Sequence, residues 1–194
     1  GDEVNVLIVT RGIPELFPPE EIEGTYFELK EAHSLLGVAK TVFLDFPAPE
    51  LDTVPRHCVA DAIRNVIFDF GPSVVYFPHY GDLHEDHKIV HYATLVASRP
   101  VNENPVRRLL CYETLSESDW GRPVGSEAFI PNVFIDVTAY LDTKLNAMAC
   151  YKSQLVQGPR SRSLMTLESL ARLRGSNVGF EAAEAFVLIR EIVS

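Results

Sequence analysis

Short, almost continuously apolar stretches alternate along the chain with longer stretches in which apolar residues recur every three or four positions. The first pattern is typical of buried parallel strands, and the second of helices that bury one face. The pattern predicts strands at residues 4–10, 41–46, 73–77 and 108–112, with a short extended piece at 132–137. It predicts helices at residues 26–36, 59–70, 86–98, 139–154, 164–173 and 181–192.

Turn-forming residues separate these elements. Residues 14–23 contain three prolines and several acidic residues, which predicts a surface loop. Gly37 and Gly71 each follow a predicted helix directly, where glycine commonly ends the helix. Because strands alternate with helices, we expect an α/β fold that is Rossmann-like, with a mostly parallel sheet flanked by helices on both faces. The length favours a single domain over residues 1–194.

Composition narrows the classes of partner and compartment. The net charge is −10 and no block of five basic residues occurs, which argues against nucleic acid as a partner. The three cysteines are odd in number and widely spaced, which argues against a disulfide framework or a cysteine-rich zinc site. The sequence shows no signal-peptide pattern and no apolar run of membrane-spanning length. We therefore expect a cytoplasmic protein without a membrane span.

Candidate chemistry is concentrated directly after the third predicted strand, where ligands bind in open α/β sheets. Four of the six histidines fall within thirteen residues there, interleaved with two aspartates: His79, His84, His87, His91, Asp82 and Asp86. His84 and His87 are three residues apart at a predicted helix start, so both can face one side. Imidazole is a good zinc ligand, but a His-x-x-His pair alone is a weak signal. Metal binding and ordinary surface histidines both stay open from the spacing, and His91 lies one helical turn deeper.

The run Asp82-x-His84-x-Asp86-His87 after a strand resembles the second signature of LmbE-like (PIG-L) zinc-dependent de-N-acetylases. Other segments are similar to that family in the same order: Glu28-Leu29-x-x-Ala32, Phe43-Leu44-Asp45-Phe46, Tyr112-Glu113-Thr114 with Trp120, Pro131-Asn132-x-Phe134-Ile135-Asp136, Tyr151-Lys152-x-Gln154 and Arg174-Gly175. The resemblance implies a Rossmann-like fold and one zinc ion per site. It also implies hydrolysis of the N-acetyl group of an amino sugar, free or conjugated, with release of acetate. A homo-oligomer is compatible with such folds.

The resemblance assigns roles to individual residues. His87 would be a zinc ligand, and His84 would stabilise the oxyanion or protonate the leaving amine. Asp86 would orient a histidine, with His84 as the expected partner and a raised pKa for His84 as the consequence. Asp82 is expected in substrate binding, with a plain loop carboxylate as the alternative. The remaining expected sugar-binding residues follow the fourth strand or lie near the C-terminus: Tyr112, Glu113, Trp120 and Arg174. For Tyr112, Glu113 and Trp120, ordinary loop packing is the alternative. For Arg174, an ion pair with Glu184 is the alternative.

The sequence also departs from the family pattern. The first signature of the family, a His-Pro-Asp-Asp run that supplies two zinc ligands and the general base, does not occur here. Gly1 to Val4 is similar to the family just before its second strand, so we expect the first strand and its loop upstream, on the order of 30 residues, with activity requiring them. Thr25 stands where many relatives carry an arginine. The alternative function is a non-catalytic carbohydrate-binding or assembly protein of the same fold.

Overall fold

A computed structural model describes residues 1–101 and 105–193 as an α/β protein. Its strands are β1 (Asn5–Gly12), β2 (Lys40–Ala48), β3 (Val74–Pro78), β4 (Arg108–Tyr112), β5 (Val133–Asp136) and β6 (Ala183–Glu191). Its helices are α1 (Pro19–Leu36), α2 (Arg56–Phe70), α3 (Glu85–Ala97), α4 (Leu141–Ala149) and α5 (Leu164–Ser176). Short 3-10 turns occur at Leu51–Thr53, Gly125–Glu127 and Thr138–Tyr140.

The described strands form two sheets. β1 pairs with β2, and a four-stranded sheet has the order β3-β4-β6-β5. β3 and β4 are parallel, with Val74–Pro78 aligned to Arg108–Tyr112. β6 runs antiparallel to β4, with Leu188 opposite Leu110 and Val187 opposite Cys111. The expected α/β architecture is therefore confirmed, while the four-stranded sheet is mixed rather than mostly parallel.

The chain divides into two compact units. The first contains residues 1–47 and 134–184, and the second contains residues 48–133 together with the segment from Ala185 onward. In the first unit, small clusters pack α1 against α4 and α4 against α5, with Ala32, Ala147 and Ala171 among the buried residues. In the second unit, Phe77 and Leu109 from β3 and β4 form the centre of the core. This division into two compact units does not test the expected single domain, which stays a prediction.

Helix boundaries follow local chemistry. α1 ends before Gly37 (φ 69°) and α2 before Gly71 (φ 56°), both in the left-handed conformation that glycine adopts without steric cost. α1 begins at Pro19, so the predicted loop 14–23 is too long. Proline is tolerated in the first turn of a helix, because the amide it lacks would have no partner there. No helix in the described part of the chain is both long and apolar enough to cross a membrane.

Two predicted helices are wrong in part or in full. Residues 181–192 contain the strand β6, not a helix, because pairing with β4 outweighs the helix preference of its alanines and glutamate. Residues 139–154 form a shorter helix that ends at Ala149. Beyond that point, the backbone amide and hydroxyl of Ser153 bind the carboxylate of Glu28 on α1, at 2.9 and 2.6 Å, instead of continuing the helix.

Candidate functional site

The candidate site lies in the second unit, where the loop after β3 leads into α3. The loop begins at the carboxyl end of a parallel strand, and the amide of His79 still donates to the carbonyl of Tyr112 on β4 (3.1 Å). α3 starts at Glu85, and His84 is its N-cap residue. The strand end and the positive end of the helix therefore converge on residues 79–87, a common position for ligand sites in α/β folds.

His87 is held by a buried carboxylate. Its Nδ1 lies 2.8 Å from Oδ2 of Asp82, and Asp82 is 0% exposed. A carboxylate accepts the Nδ1 proton, so the neutral ring carries its lone pair on Nε2. This is the arrangement by which carboxylates orient metal-binding histidines in proteins. The side chain of His87 is 27% exposed, so it is in reach of solvent.

His84 presents the complementary tautomer. Its Nδ1 accepts the backbone amide of Asp86 (3.2 Å) as the N-cap of α3. A nitrogen that accepts cannot carry a proton, so the neutral ring of His84 bears its proton on Nε2. The two imidazoles stack, with centroids 5.1 Å apart and planes inclined by 20°. The site therefore pairs a ring that can donate a proton with a ring that can donate an electron pair.

Asp86 makes different contacts from those predicted. Its carboxylate was expected to orient His84, but its Oδ1 accepts the amide of Leu51 (3.2 Å), and only its backbone amide contacts His84. Burial raises the pKa of Asp86, while the Leu51 hydrogen bond and then the nearby His84 and His87 oppose that rise. Oδ2 of Asp86 is buried without a hydrogen-bond partner among the described residues. Asp82, expected to bind substrate, instead has both oxygens occupied within the protein.

Two further loops pack against the loop of residues 79–84, the site loop, so closely that only glycine fits. A Cβ on Gly81 would overlap the carbonyl oxygen of Glu127, and a Cβ on Gly121 would overlap the carbonyl oxygen of Gly81. The amide of Leu83 donates to the carbonyl of Glu117 (3.1 Å). These contacts, like those of Ser118 and Leu51, were not predicted from the sequence. The glycines themselves are the signal that could have indicated close backbone approach.

The other two histidines of the cluster are structural. His79 is buried, with Nε2 3.1 Å from the carbonyl of Glu127 and its ring edge-on to Phe129. His91 is buried and its Nδ1 lies 3.0 Å from the carbonyl of Pro78. Burial lowers the pKa of His91, so its ring is neutral near neutral pH. Their ring contacts leave His84 and His87 as the accessible pair.

The expected substrate-binding residues occupy several positions. Trp120 is 61% exposed on the loop 114–121, which contacts the site loop through Gly121. Tyr112 ends β4 and Glu113 follows it at the same edge of the sheet. Burial, and then the charge of Asp82, raise the pKa of Tyr112 to about 12, so its hydroxyl is neutral. Arg174 lies in α5 of the other unit, and in that unit Glu184 contacts the Nζ of Lys144.

The described residues fit a zinc ion only in part. Nε2 of His87 is suited to one ligand position. A catalytic zinc ion needs about three protein ligands and an open position. Residues 1–101 and 105–193 contain no group of three or more histidine, cysteine or acidic side chains placed to hold a metal ion. The side chains described therefore do not complete a zinc site.

Comparisons with known proteins identify relatives of this chain. The family described as "PIG-L: GlcNAc-PI de-N-acetylase" matches residues 1–98. A probable N-acetyl-alpha-D-glucosaminyl L-malate deacetylase 2 of Bacillus cereus is 28% identical over 131 residues, which cover 66% of this chain. The match spans only 56% of the length of that relative.

Two solved structures show the same fold. The conserved protein TT1542 from Thermus thermophilus is 27% identical with a TM-score of 0.72, over 99% of this chain and 84% of that one. The N,N'-diacetylchitobiose deacetylase from Pyrococcus horikoshii is 20% identical with a TM-score of 0.73, over 96% and 73%. Because the family match covers just over half of the 194 residues and contains the whole His84–His87 site, the chain belongs to the PIG-L (LmbE-like) family of de-N-acetylases.

Proposed function

We propose that the protein hydrolyses the N-acetyl group of an amino sugar or its conjugate, releasing acetate and a free amine. The observation that carries this proposal is the stacked pair His84 and His87, which offers one proton donor and one electron-pair donor side by side. Amide hydrolysis needs a donor beside the carbonyl oxygen, because that oxygen gains negative charge while water attacks. The deacetylase name of the Bacillus cereus relative supports the same chemistry.

His84 is the residue that would stabilise the developing oxyanion. Its Nδ1 is committed to the amide of Asp86, so its Nε2–H is a fixed donor. Donors of this kind contribute about 10²–10³-fold in rate, because they need no reorganisation when charge appears. The N-terminus of α3 adds a positive partial charge on the same side. This role needs a donor at Nε2 and does not depend on the charge of the ring.

His87 is the residue that we propose as a metal ligand, with zinc as the ion. Asp82 fixes its tautomer so that Nε2 keeps its lone pair, and so Asp82 orients a ligand instead of contacting substrate. The described residues do not complete a zinc site, so no step is assigned to the ion. We propose that activity requires a segment with the family's His-Pro-Asp-Asp run in addition to these residues.

The sugar would lie beside the loop 114–121. Trp120 is exposed there, and aromatic faces pack well against the apolar faces of sugars. Tyr112, whose hydroxyl is neutral, and Glu113 lie at the carboxyl end of β4 and would hydrogen-bond to sugar hydroxyls. For Arg174 we retain substrate binding as a proposal. A small N-acetylated sugar or glycoconjugate is the proposed partner.

The test measures acetate release from N-acetylglucosamine conjugates by the protein. His84→Gln and His87→Gln should each lower kcat/KM by at least about 100-fold, because each removes a group that acts in the transition state. His57→Gln, an exposed residue on α2, is the matched control and should retain wild-type activity. Sugar binding without any acetate release would favour the non-catalytic carbohydrate-binding alternative. Full activity of both site variants would refute the proposed site.

A further inference from the structure

Ser118 lies in the loop after β4 and contacts the carboxylate that holds His87. Its Oγ donates to Oδ1 of Asp82, while Oδ2 of the same carboxylate accepts from Nδ1 of His87. Ser118 therefore contacts Asp82, which contacts the proposed metal ligand His87, and Ser118 does not contact His87 itself. The chain of contacts runs from the hydroxyl through a fully buried carboxylate to an accessible ring.

The position of Ser118 is fixed by its own loop. Thr114 comes two residues after the end of β4, and its amide donates to Oγ of Ser118 (2.8 Å). In return the amide of Ser118 donates to the carbonyl of Thr114 (2.8 Å). The neighbouring carbonyl in the turn, that of Glu117, binds the amides of Gly121 (2.9 Å) and Leu83 (3.1 Å). Ser118 is thus held relative to both the sheet and the site loop.

Hydrogen-bond accounting sets the direction of the contact. A serine hydroxyl has one proton and two lone pairs, and the Thr114 amide occupies a lone pair. The single proton is therefore directed to Asp82. A carboxylate that is 0% exposed has no water to replace a lost donor, so removing the hydroxyl leaves Oδ1 unsatisfied. An unsatisfied carboxylate can rotate away from the geometry that fixes the tautomer of His87.

We propose that Ser118 is a positioning residue, which orients His87 through Asp82 and so sets which ring nitrogen is available to a metal ion. This inference rests on the proposed function, since it assigns the purpose of the orientation to metal binding and amide hydrolysis. The geometry itself does not depend on turnover. Ser118 accordingly acts on the rate of the chemical step and not on the affinity for the sugar.

The experiment records the ring tautomer of His87 directly. The protein is labelled with ¹⁵N-histidine and kept metal-free with a chelator at about pH 8.5, where an ordinary imidazole is neutral. Long-range ¹H–¹⁵N spectra then distinguish Nδ1–H from Nε2–H, and His87→Gln identifies the signals of His87. The wild type and Ser126→Ala, an exposed serine in the same unit, should show the proton on Nδ1. Ser118→Ala should show a mixture, and Ser118→Thr should restore the single form.

Kinetics provide the second measurement. Ser118→Ala should lower kcat for acetate release by about 10–100-fold with KM within about two-fold, the usual effect of losing a partner behind a metal ligand. If Ser118→Ala is poorly folded, Ser118→Cys replaces it, because a thiol keeps the size but is a weak donor. A folded Ser118→Ala or Ser118→Cys protein with wild-type tautomer would overturn the inference. If the wild type releases no acetate, the proposed function fails, while the spectra still decide the role of Ser118.

Discussion

The carboxylate of Asp82 is fully buried, which is unfavourable unless each oxygen receives a hydrogen bond, and each does. Asp82→Asn places an amide where an acceptor is needed. Its NH₂ group can face Nδ1 of His87 and reverse the ring tautomer. We expect kcat/KM for acetate release to fall by about 10–100-fold. Glu85→Gln, which alters an exposed pair with Lys88 at 3.2 Å, is the control and should change little. Wild-type activity of Asp82→Asn would exclude this role.

His91 gives a prediction about pH and stability. Burial lowers its pKa below the ordinary value of 6.5, although the Pro78 carbonyl acts in the opposite direction; neighbouring His79 lowers it further and Asp82 raises it. Below about pH 6.5 the unfolded chain therefore binds more protons at this residue than the folded chain does. The free energy of unfolding should fall as the pH is lowered through that range.

The variant His91→Gln removes this titration. Denaturant unfolding curves between about pH 5 and 8 should show a weaker dependence on pH than those of the wild type. His33 also has its pKa lowered by burial, so part of the dependence remains in His91→Gln. An unchanged slope in His91→Gln would show that its ring titrates alike in both states.

The residue types of the site could be predicted from the sequence, but their partners could not. The sequence placed Asp82, His84, Asp86 and His87 together after the third strand, and the structure has them there, at the start of α3. Sequence spacing does not determine which carboxylate meets which ring, because that depends on loop direction and on distant segments. The carboxylate of Asp86 accepts from the amide of Leu51, 35 residues earlier. The carboxylate of Asp82 accepts from the hydroxyl of Ser118, 36 residues later.

Among the elements, the loops depend on glycine in a way that can be tested. Gly121→Ala would force a Cβ into the carbonyl of Gly81, so we expect a loss of about 1–3 kcal/mol in unfolding free energy, as for other overpacked sites. Gly24→Ala is the matched control. Gly24 is within α1 and has open space around it, so alanine should stabilise by about 0.5–1 kcal/mol. Equal effects of both changes in denaturant titrations would contradict the close approach.

The elements themselves were predictable where local pattern and tertiary structure agree. α2, α3, β3 and β4 match their predicted positions closely because their apolar spacing is regular. β6 was mistaken for a helix because Ala183, Glu184 and Ala185 favour helices, whereas its pairing with β4 brings together residues more than 70 positions apart. A single sequence carries no record of that pairing.

For the whole molecule, metal binding is the most decisive prediction. The described residues offer His87 as one ligand and contain no three-ligand group, while the family resemblance assigns two further ligands to a His-Pro-Asp-Asp run. We expect a chain that carries that run as well to bind about one zinc ion through a complete site. We expect the 194 residues without that run to bind zinc weakly and to release little acetate. Fusing a segment with that run ahead of Gly1 should raise both the zinc affinity and the acetate release.

Elemental analysis and chelator competition measure the zinc content and affinity of each protein. His87→Gln should weaken zinc binding strongly in the chain that carries the His-Pro-Asp-Asp run, because a site of about three ligands loses one. His91→Gln should leave the zinc affinity unchanged, because the ring of His91 is buried. Removing zinc with a chelator should abolish acetate release, and added zinc should restore it. Tight zinc binding that survives His87→Gln would place the metal elsewhere and remove the basis for assigning His87 as its ligand.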